Sequence, residues 1–446
     1  MQRGQFSSTL TFVFAAAGSA VGLGNIWGFP TRAAENGGAA FLLMYLVLAF
    51  LLAYPALMAE LIIGRHTRSN MVNALTSISN SDASRQLGRL TGFAGMLTAA
   101  MILCFYSIVA GWMIGSMLQP ITDLLGLTSL SAWLTEFGLA RNISLTALFM
   151  ILTALVISAG VEQGIEKWSR RLMPSLLILL VCLIGYVLTQ EGAMAGLRHY
   201  LVPDFSQITN PDLMVSALGQ AFFSMSLGVG TMLIYGSYIG PQENLPRLGT
   251  LVTLTDTGIA FLAGLLVLPA IFVAQNLGVA IYAEGGGLIA GPDLIFQVLP
   301  ALFNSMGSAG LAVGFAFFVL MSIAALTSSI SMLEVPVSYA VESHSLSRSR
   351  ATCTIAAVIF ALSLVVCLTF EHSFGWVITL TTEWGQPLLS MLLCLFAGWV
   401  FYRDRILAEL KQGNPEVEGS LFWKIWPFYV KLICPLLIVL MIAQGL

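Results

Sequence analysis

The chain has 446 residues, 57% of them apolar and 9% charged, with a formal net charge of -3; a soluble domain carries charge at roughly 25% of its positions. That balance excludes a soluble domain and, with no basic patch or tail, a nucleic-acid partner. Runs of the roughly 20 apolar residues needed to cross hydrocarbon recur along the whole length, so the expected fold class is an all-α polytopic membrane protein solvated by the lipid bilayer.

In chain order the runs fall at residues 10–29, 40–63, 92–117, 144–159, 172–189, 213–235, 251–274, 309–340, 352–370, 376–401 and 426–444, which makes about eleven transmembrane helices. The first run lacks the n-region and cleavage site of a signal peptide and is kept as part of the mature protein. Lys and Arg gather in alternate loops: Arg65, Arg68, Arg85 and Arg89, then Lys167, Arg170 and Arg171, then Arg247, then Arg348 and Arg350, then Arg403, Arg405 and Lys411. Arg141 and Arg198 are the exceptions. The positive-inside rule then puts the N-terminus in the cytoplasm and, with an odd number of spans, the C-terminus outside. Cys104, Cys182, Cys353, Cys367, Cys394 and Cys434 lie in or beside apolar runs without metal-like spacing, and are read as buried small hydrophobes.

Two spans are interrupted. The first carries GSAVGLGNIWGFP, Gly18 to Pro30, where Gly18, Gly22 and Gly24 make unwinding cheap and Asn25 supplies a polar oxygen. The sixth carries GQAFFSMSLGVGTM, where Gly219, Gly228 and Gly230 bracket Ser224 and Ser226. Glycines of this kind also serve close helix packing. Irregular backbone at membrane depth survives only where it is buried or lines a site, and interruptions in matching positions of two halves point to an inverted repeat with a midplane binding site. The repeat is expected over residues 1–190 and 205–402, with residues 420–446 an additional helix. Half-helix ends at the midplane attract an anionic group, and freed carbonyls and hydroxyls hold a hard cation.

AAAGSAVGLGNIWGFP, AENGGAAF, GQAFFSMSLGVG and LTSSISMLEVPV resemble the signature segments of the neurotransmitter:sodium symporters, bacterial branch. The resemblance implies a bacterial cytoplasmic (inner) membrane protein that imports an amino acid, a small-molecule substrate, with Na+, two ions in all. The first sodium site would take the Ala20 carbonyl, Asn25, the Ser224 hydroxyl and a substrate carboxyl oxygen, with Asp256 aligned to a further sodium-ligating position. The second would take carbonyls of Gly18, Val21 and Ala324 with hydroxyls of Thr327 and Ser328; back-bonding to the helix is the alternative role for those hydroxyls. The substrate carboxylate would rest on backbone N–H groups at Leu23 and Gly24 and on the Tyr106 hydroxyl. Ser19, Ile102, Phe223 and Ser226 would line the side-chain pocket with Val229, Ser328 and Met332, Phe223 acting as lid.

Relatives that carry monoamines have Asp where this chain has Gly22, so the resemblance implies a substrate bringing its own carboxylate, and the apolar lining implies a neutral, mostly hydrophobic amino acid. Asp256 falls next to the place where animal relatives bind chloride with side chains matching Tyr45, Gln220 and Ser224. A carboxylate there substitutes for chloride, so transport without a chloride requirement is expected, with Asp256 protonated on the empty return. Glu60 and Glu334 are expected in a buried network that steadies the broken segments. Arg3 and Glu342 resemble the inner-gate ion pair, with Phe6 as plug and Tyr238 close by. At the outer gate, Phe223 and Tyr106 remain, but NIWGFP has Gly28 where relatives carry Arg, and Ile378 or Thr379 stands where its Asp partner is usual. Closure then rests on the two aromatic rings alone, or on Arg32 reaching Glu383.

No nucleophile–base pair or catalytic metal spacing is present, so the chain is not read as an enzyme. The alternatives are a carrier of a non-standard zwitterion, such as a β- or sulfonic amino acid, and an amino-acid receptor that does not transport. Oligomeric state is not legible.

Overall fold

The structure, a computed structural model, describes residues 4–202, 205–208, 210–282, 288–289 and 293–444. Hydrocarbon leaves backbone polar groups no partner but their own helix, and the described residues are accordingly helical, apart from connections and one isolated pairing of Tyr282 with Leu288. The helices that matter below are α1 (Thr9–Ala20), α2 (Gly24–Glu35), α3 (Ala39–Thr67), α4 (Asp82–Leu124), α5 (Leu139–Ser158) and α6 (Val161–Leu188). They continue with α7 (Pro211–Ser224), α8 (Thr231–Gly236), α9 (Leu245–Asn276), α10 (Ser308–His344), α11 (Arg348–Leu368), α12 (Phe370–Val400), α13 (Arg403–Gly413) and α14 (Leu421–Ala443).

Among the described residues, eight helices are long and apolar enough to cross a membrane, and the bent pairs α1–α2 (53°) and α12–α13 (101°), each counted as one span, raise the number to ten. The sixth apolar run falls outside that number because it is two short helices, of 14 and 6 residues. Several spans outrun the hydrophobic stretch that announced them: α4 is 43 residues long, starting at a capping box between Ser81 and Ser84 well before the apolar core. The connection over residues 275–304 includes 283–287 and 290–292, its glycine triplet among them, which lie outside the described residues.

Packing places the broken segments at the centre. α4 and α10 run against each other along their length, α1 and α6 pack on α10, and α9 packs on α1, α2 and α6. The short α8 is drawn onto α3 at two glycines: a Cβ on Gly64 would overlap the Leu233 carbonyl oxygen, and one on Gly236 would stand 2.9 Å from that of Leu61. That crossing brings the buried Glu60 of α3 within reach of α8's first turn. Cys104, Cys367, Cys394 and Cys434 are buried as expected, whereas Cys182 and Cys353, on α6 and α11, are exposed and correct that expectation.

Candidate functional site

The first break is made without any left-handed residue: Val21 ends α1 with φ −75° and ψ 86°, and a wide π-type turn over Gly24–Gly28 opens α2. Gly22 serves here as space. A Cβ at this position would overlap Ser328 Oγ and lie 2.6 Å from Tyr106 Oη, so the α1–α2 link is pressed between α10 and α4. The Leu23 N–H, freed from the helix, donates to Tyr106 Oη at 3.0 Å. Gly18 stays helical and instead admits Thr327, whose Cβ would stand 3.3 Å from an added methyl.

The second break is built differently. Ser226, Gly228 and Gly230 all have positive φ, 52°, 84° and 83°, and Gly219 lies within α7, away from the break. The exposed backbone is satisfied by side chains from three directions. Glu60 accepts from Gly228 N at 2.7 Å and Leu233 N at 3.2 Å, Gln386 Nε2 of α12 donates to Leu227 O at 3.0 Å, and the Thr231 hydroxyl donates to Ser226 O. Glu60 therefore holds the second break, as the sequence led us to expect. Glu334 does not; it belongs to the end that holds Phe6, described below.

Between the breaks lies Asp256, fully buried on α9. Ser224 Oγ donates to its carboxylate at 2.8 and 2.9 Å, Tyr45 Oη donates at 3.2 Å, and Asn25 Nδ2 donates to Oδ1 at 2.8 Å and to the Asp256 carbonyl at 3.0 Å. A carboxylate that only accepts fixes the Asn25 amide with nitrogen toward Asp256. Its oxygen is then left buried without a partner. Gln220, expected beside Tyr45 and Ser224, turns toward α2, where its Nε2 donates to Gly24 O at 2.6 Å and its Oε1 is also unpartnered. An orphan amide oxygen, a hydroxyl and a carboxylate within one dry site form the hard-oxygen set that suits a small desolvated cation.

At the second expected ion position, Ser328 Oγ donates to Gly18 O at 3.3 Å. Thr327 Oγ1 points its proton back to Ile323 O and Ala324 O, 3.2 and 3.0 Å, which leaves its lone pairs outward. Back-bonding and ligation are thus compatible for this hydroxyl. Deeper along the same faces, Ser19 Oγ meets Ser331 Oγ at 2.6 Å and Ser226 Oγ donates to Ser19 O at 3.0 Å, tying both breaks to α10.

Apart from Phe223, the residues expected to line the substrate pocket are buried, Ile102, Val229 and Met332 included; the Ser328 hydroxyl of α10 meets the Tyr106 hydroxyl of α4. Phe223 is half-buried, its ring 3.2 Å from where a Cβ on Gly24 would be. It forms the floor of a cavity of about 310 Å³ lined also by Trp27, Gln220, Phe105 and Phe374. Arg32, Glu35 and Glu383 stand at that cavity too. Arg32 Nη2 lies 3.4 Å from Glu383 Oε1 and its Nη1 donates to Ser216 Oγ at 3.1 Å. Arg32 and Glu383, one of the two closures open from sequence, stand as an ion pair beside this cavity; Ser216 carries no sequence signal for this part.

The opposite end is packed shut. Phe6 sits edge-on to Phe12, Tyr235 and Tyr238, at ring distances of 5.6, 5.8 and 6.2 Å. Tyr238 Oη donates to buried Glu334 at 2.6 Å, and Arg348 of α11 pairs with the other Glu334 oxygen. Arg3 lies outside the described residues; Glu342 accepts from Asn70 N and Nδ2, both 2.8 Å. Glu166 grips Ser7, and Glu243 accepts from Thr9 at 2.8 and 3.0 Å, fastening the start of α1. Sequence reading missed Arg348, Glu166 and Glu243, since a loop cation or acid carries no mark of its partner.

Comparison with known proteins accounts for this arrangement. The chain matches the profile of the Sodium:neurotransmitter symporter family over residues 3–140 and 126–446. It is 34% identical to an uncharacterized sodium-dependent transporter of Bacillus subtilis over 451 residues, covering 98% of this chain and 96% of that protein. The sodium-dependent nutrient amino acid transporter 1 of Drosophila virilis is 26% identical, over 96% of this chain and 75% of its own. Among solved structures, the crystal structure of MhsT in complex with L-phenylalanine superposes with a TM-score of 0.85 at 34% identity, covering 100% of both chains. The chain belongs to the sodium:neurotransmitter symporter family and is a sodium-dependent membrane transporter, not an enzyme.

Proposed function

We infer that the chain imports a neutral, mostly hydrophobic amino acid by alternating access, driven by two sodium ions and needing no chloride. One observation carries the reading: the Asn25 amide oxygen is buried without a partner beside Asp256, whose carboxylate is held by Tyr45, Ser224 and Asn25. An uncompensated carboxylate in a dry site is costly, and a cation at the orphan oxygen offsets it. The fixed negative charge takes the part that chloride plays in animal relatives, and a proton on Asp256 neutralises the site during the return without sodium.

Gly22 supports a substrate with its own carboxylate, because the space between Ser328 and Tyr106 admits no side chain there. MhsT bound to L-phenylalanine supports an apolar amino acid. Residues 1–190 and 205–402 form two inverted halves around the site and residues 420–446 an additional helix, in a bacterial inner membrane with the N-terminus cytoplasmic and the C-terminus outside. A second reading, a β- or sulfonic amino acid as substrate, is favoured by Gly28 and by the displaced outer pair Arg32–Glu383.

The test is uptake of labelled amino acids into proteoliposomes under inward sodium, potassium or choline gradients, with chloride replaced by gluconate and internal pH followed by a dye. Sodium-driven accumulation of a neutral amino acid without chloride is expected, with alkalinisation of the lumen that Asp256→Asn removes. A chloride requirement, or proton coupling intact in Asp256→Asn, overturns the charge assignment; uptake of only β- or sulfonic amino acids selects the second reading.

A further inference from the structure

Away from the transport path, α12, α13 and α14 meet at the end of the bundle that holds Phe6 and Arg65. The cleft between them has a volume of about 340 Å³ and is lined by three cations, Arg403, Lys424 and Lys431, with no carboxylate among its lining residues. On the adjoining α3 and α13, Arg65 pairs with Glu409 and Lys411 with Glu418, while Arg405 lies over the Tyr402 ring. Among the described residues, no carboxylate lies within ion-pair distance of Arg403, Lys424 or Lys431.

Aromatic faces lie against two of these charges without neutralising them. Lys431 Nζ lies 4.1 Å from the centroid of Trp399, whose Nε1 donates to the Lys431 carbonyl at 3.0 Å, and the Arg403 guanidinium lies 5.2 Å from Trp423. Lys431 sits within an apolar span, on a half-buried face, where a cation without a counter-charge is costly. The outer wall is apolar and open: Trp399 and Phe428 are 60% and 59% exposed, the surface that acyl chains cover.

We propose that this cleft binds the phosphate headgroup of an anionic phospholipid, its acyl chains lying along the exposed face of α14. Arg403 and Lys424 meet the headgroup from the rim, and Lys431 reaches it from below by extending along its own helix. The lipid thereby fastens α13, whose Glu409 accepts from buried Arg65 Nε at 2.7 Å at the end of α3.

The full chain in lauryl maltoside is titrated with dioleoyl phosphatidylglycerol, dioleoyl phosphatidylcholine or inorganic phosphate, and the tightest retained lipid is read by native mass spectrometry. Wild type retains phosphatidylglycerol preferentially. Lys424→Gln/Lys431→Gln weakens this roughly 25-fold, at about fivefold per cation, while Arg170→Gln/Arg171→Gln, the same charge loss elsewhere, leaves it unchanged. Should the double variant not fold, Lys424→Gln alone gives roughly a fivefold loss that Lys424→Arg does not. Equal retention of phosphatidylcholine, equal phosphatidylglycerol binding in the variants, or saturable phosphate binding without lipid preference overturns the proposal.

Discussion

The two broken helices solve one problem with different chemistry. At the first break the backbone keeps right-handed or extended angles, and its glycine makes room for Ser328 and Tyr106. At the second, three residues are left-handed and a buried carboxylate from another helix takes over the lost hydrogen bonds. A glycine therefore marks a site for two unrelated reasons, space or backbone angle, and substitutions separate them. The first break is held by what lies against it, the second by its own conformation and by Glu60.

The largest effect is expected where that dependence on Glu60 is removed. Glu60→Ala strands two buried N–H groups, at roughly 1–3 kcal/mol each, and replaces an acceptor with a cavity. Purified protein is expected to lose most of its folded fraction or to melt well below wild type, with Glu60→Gln between the two because its amide keeps one acceptor. A Glu60→Ala melting temperature within about 2 °C of wild type would show that the second break stands without its carboxylate.

Next come the glycines themselves. Gly228→Ala forces a side chain onto a residue with φ 84° and into the Gln386 carbonyl oxygen, so a loss of roughly 1–3 kcal/mol is expected that trimming neighbouring side chains does not restore. Gly22→Ala meets side chains only. It is expected to abolish substrate-dependent stabilisation while costing less stability, and Gly22→Ala/Ser328→Gly is expected to recover part of it. Thermal shift with and without substrate checks both; rescue at Gly228 by Ser390→Gly, or none at Gly22, reverses the assignment of space and angle.

How much of this was legible beforehand follows from what each feature is made of. The helical class, the broken first and sixth spans and the gathering of Asn25, Tyr45, Ser224 and Asp256 could be read, because apolar runs have a length and the signature segments carry those residues. The separate jobs of Gly18, Gly22, Gly219 and Gly228 could not: a glycine's letter gives neither its φ nor its neighbour. Arg348 with Glu334 and Gln386 with Leu227 escaped for a related reason, since each pairing joins segments brought together only by packing, 14 and 159 residues apart.

A moderate effect is expected at Tyr106, where the first break leans on α4. Tyr106→Phe leaves the Leu23 N–H without its 3.0 Å acceptor and removes a hydroxyl from the position proposed for the substrate carboxylate. A roughly tenfold weaker substrate affinity is expected, the equivalent of about 1.4 kcal/mol, together with a lower melting temperature without substrate, because the stranded N–H costs roughly 1–3 kcal/mol. An unaltered affinity would place the substrate carboxylate elsewhere.

The smallest effect belongs to the outer pair. Arg32 and Glu383 are 28% and 43% exposed at 3.4 Å, the regime in which ion pairs contribute about 0.2–1 kcal/mol. A double-mutant cycle of Arg32→Ala and Glu383→Ala on substrate affinity is expected to give a coupling in that range, falling as salt is raised. Arg32 has a second tie to Ser216 on α7, the helix that carries Phe223, so Arg32→Ala is expected to cost more than Glu383→Ala. Equal single effects with zero coupling would mean that Phe223 and Tyr106 close the outer side by themselves, and that this end, unlike the broken helices, is held by shape alone.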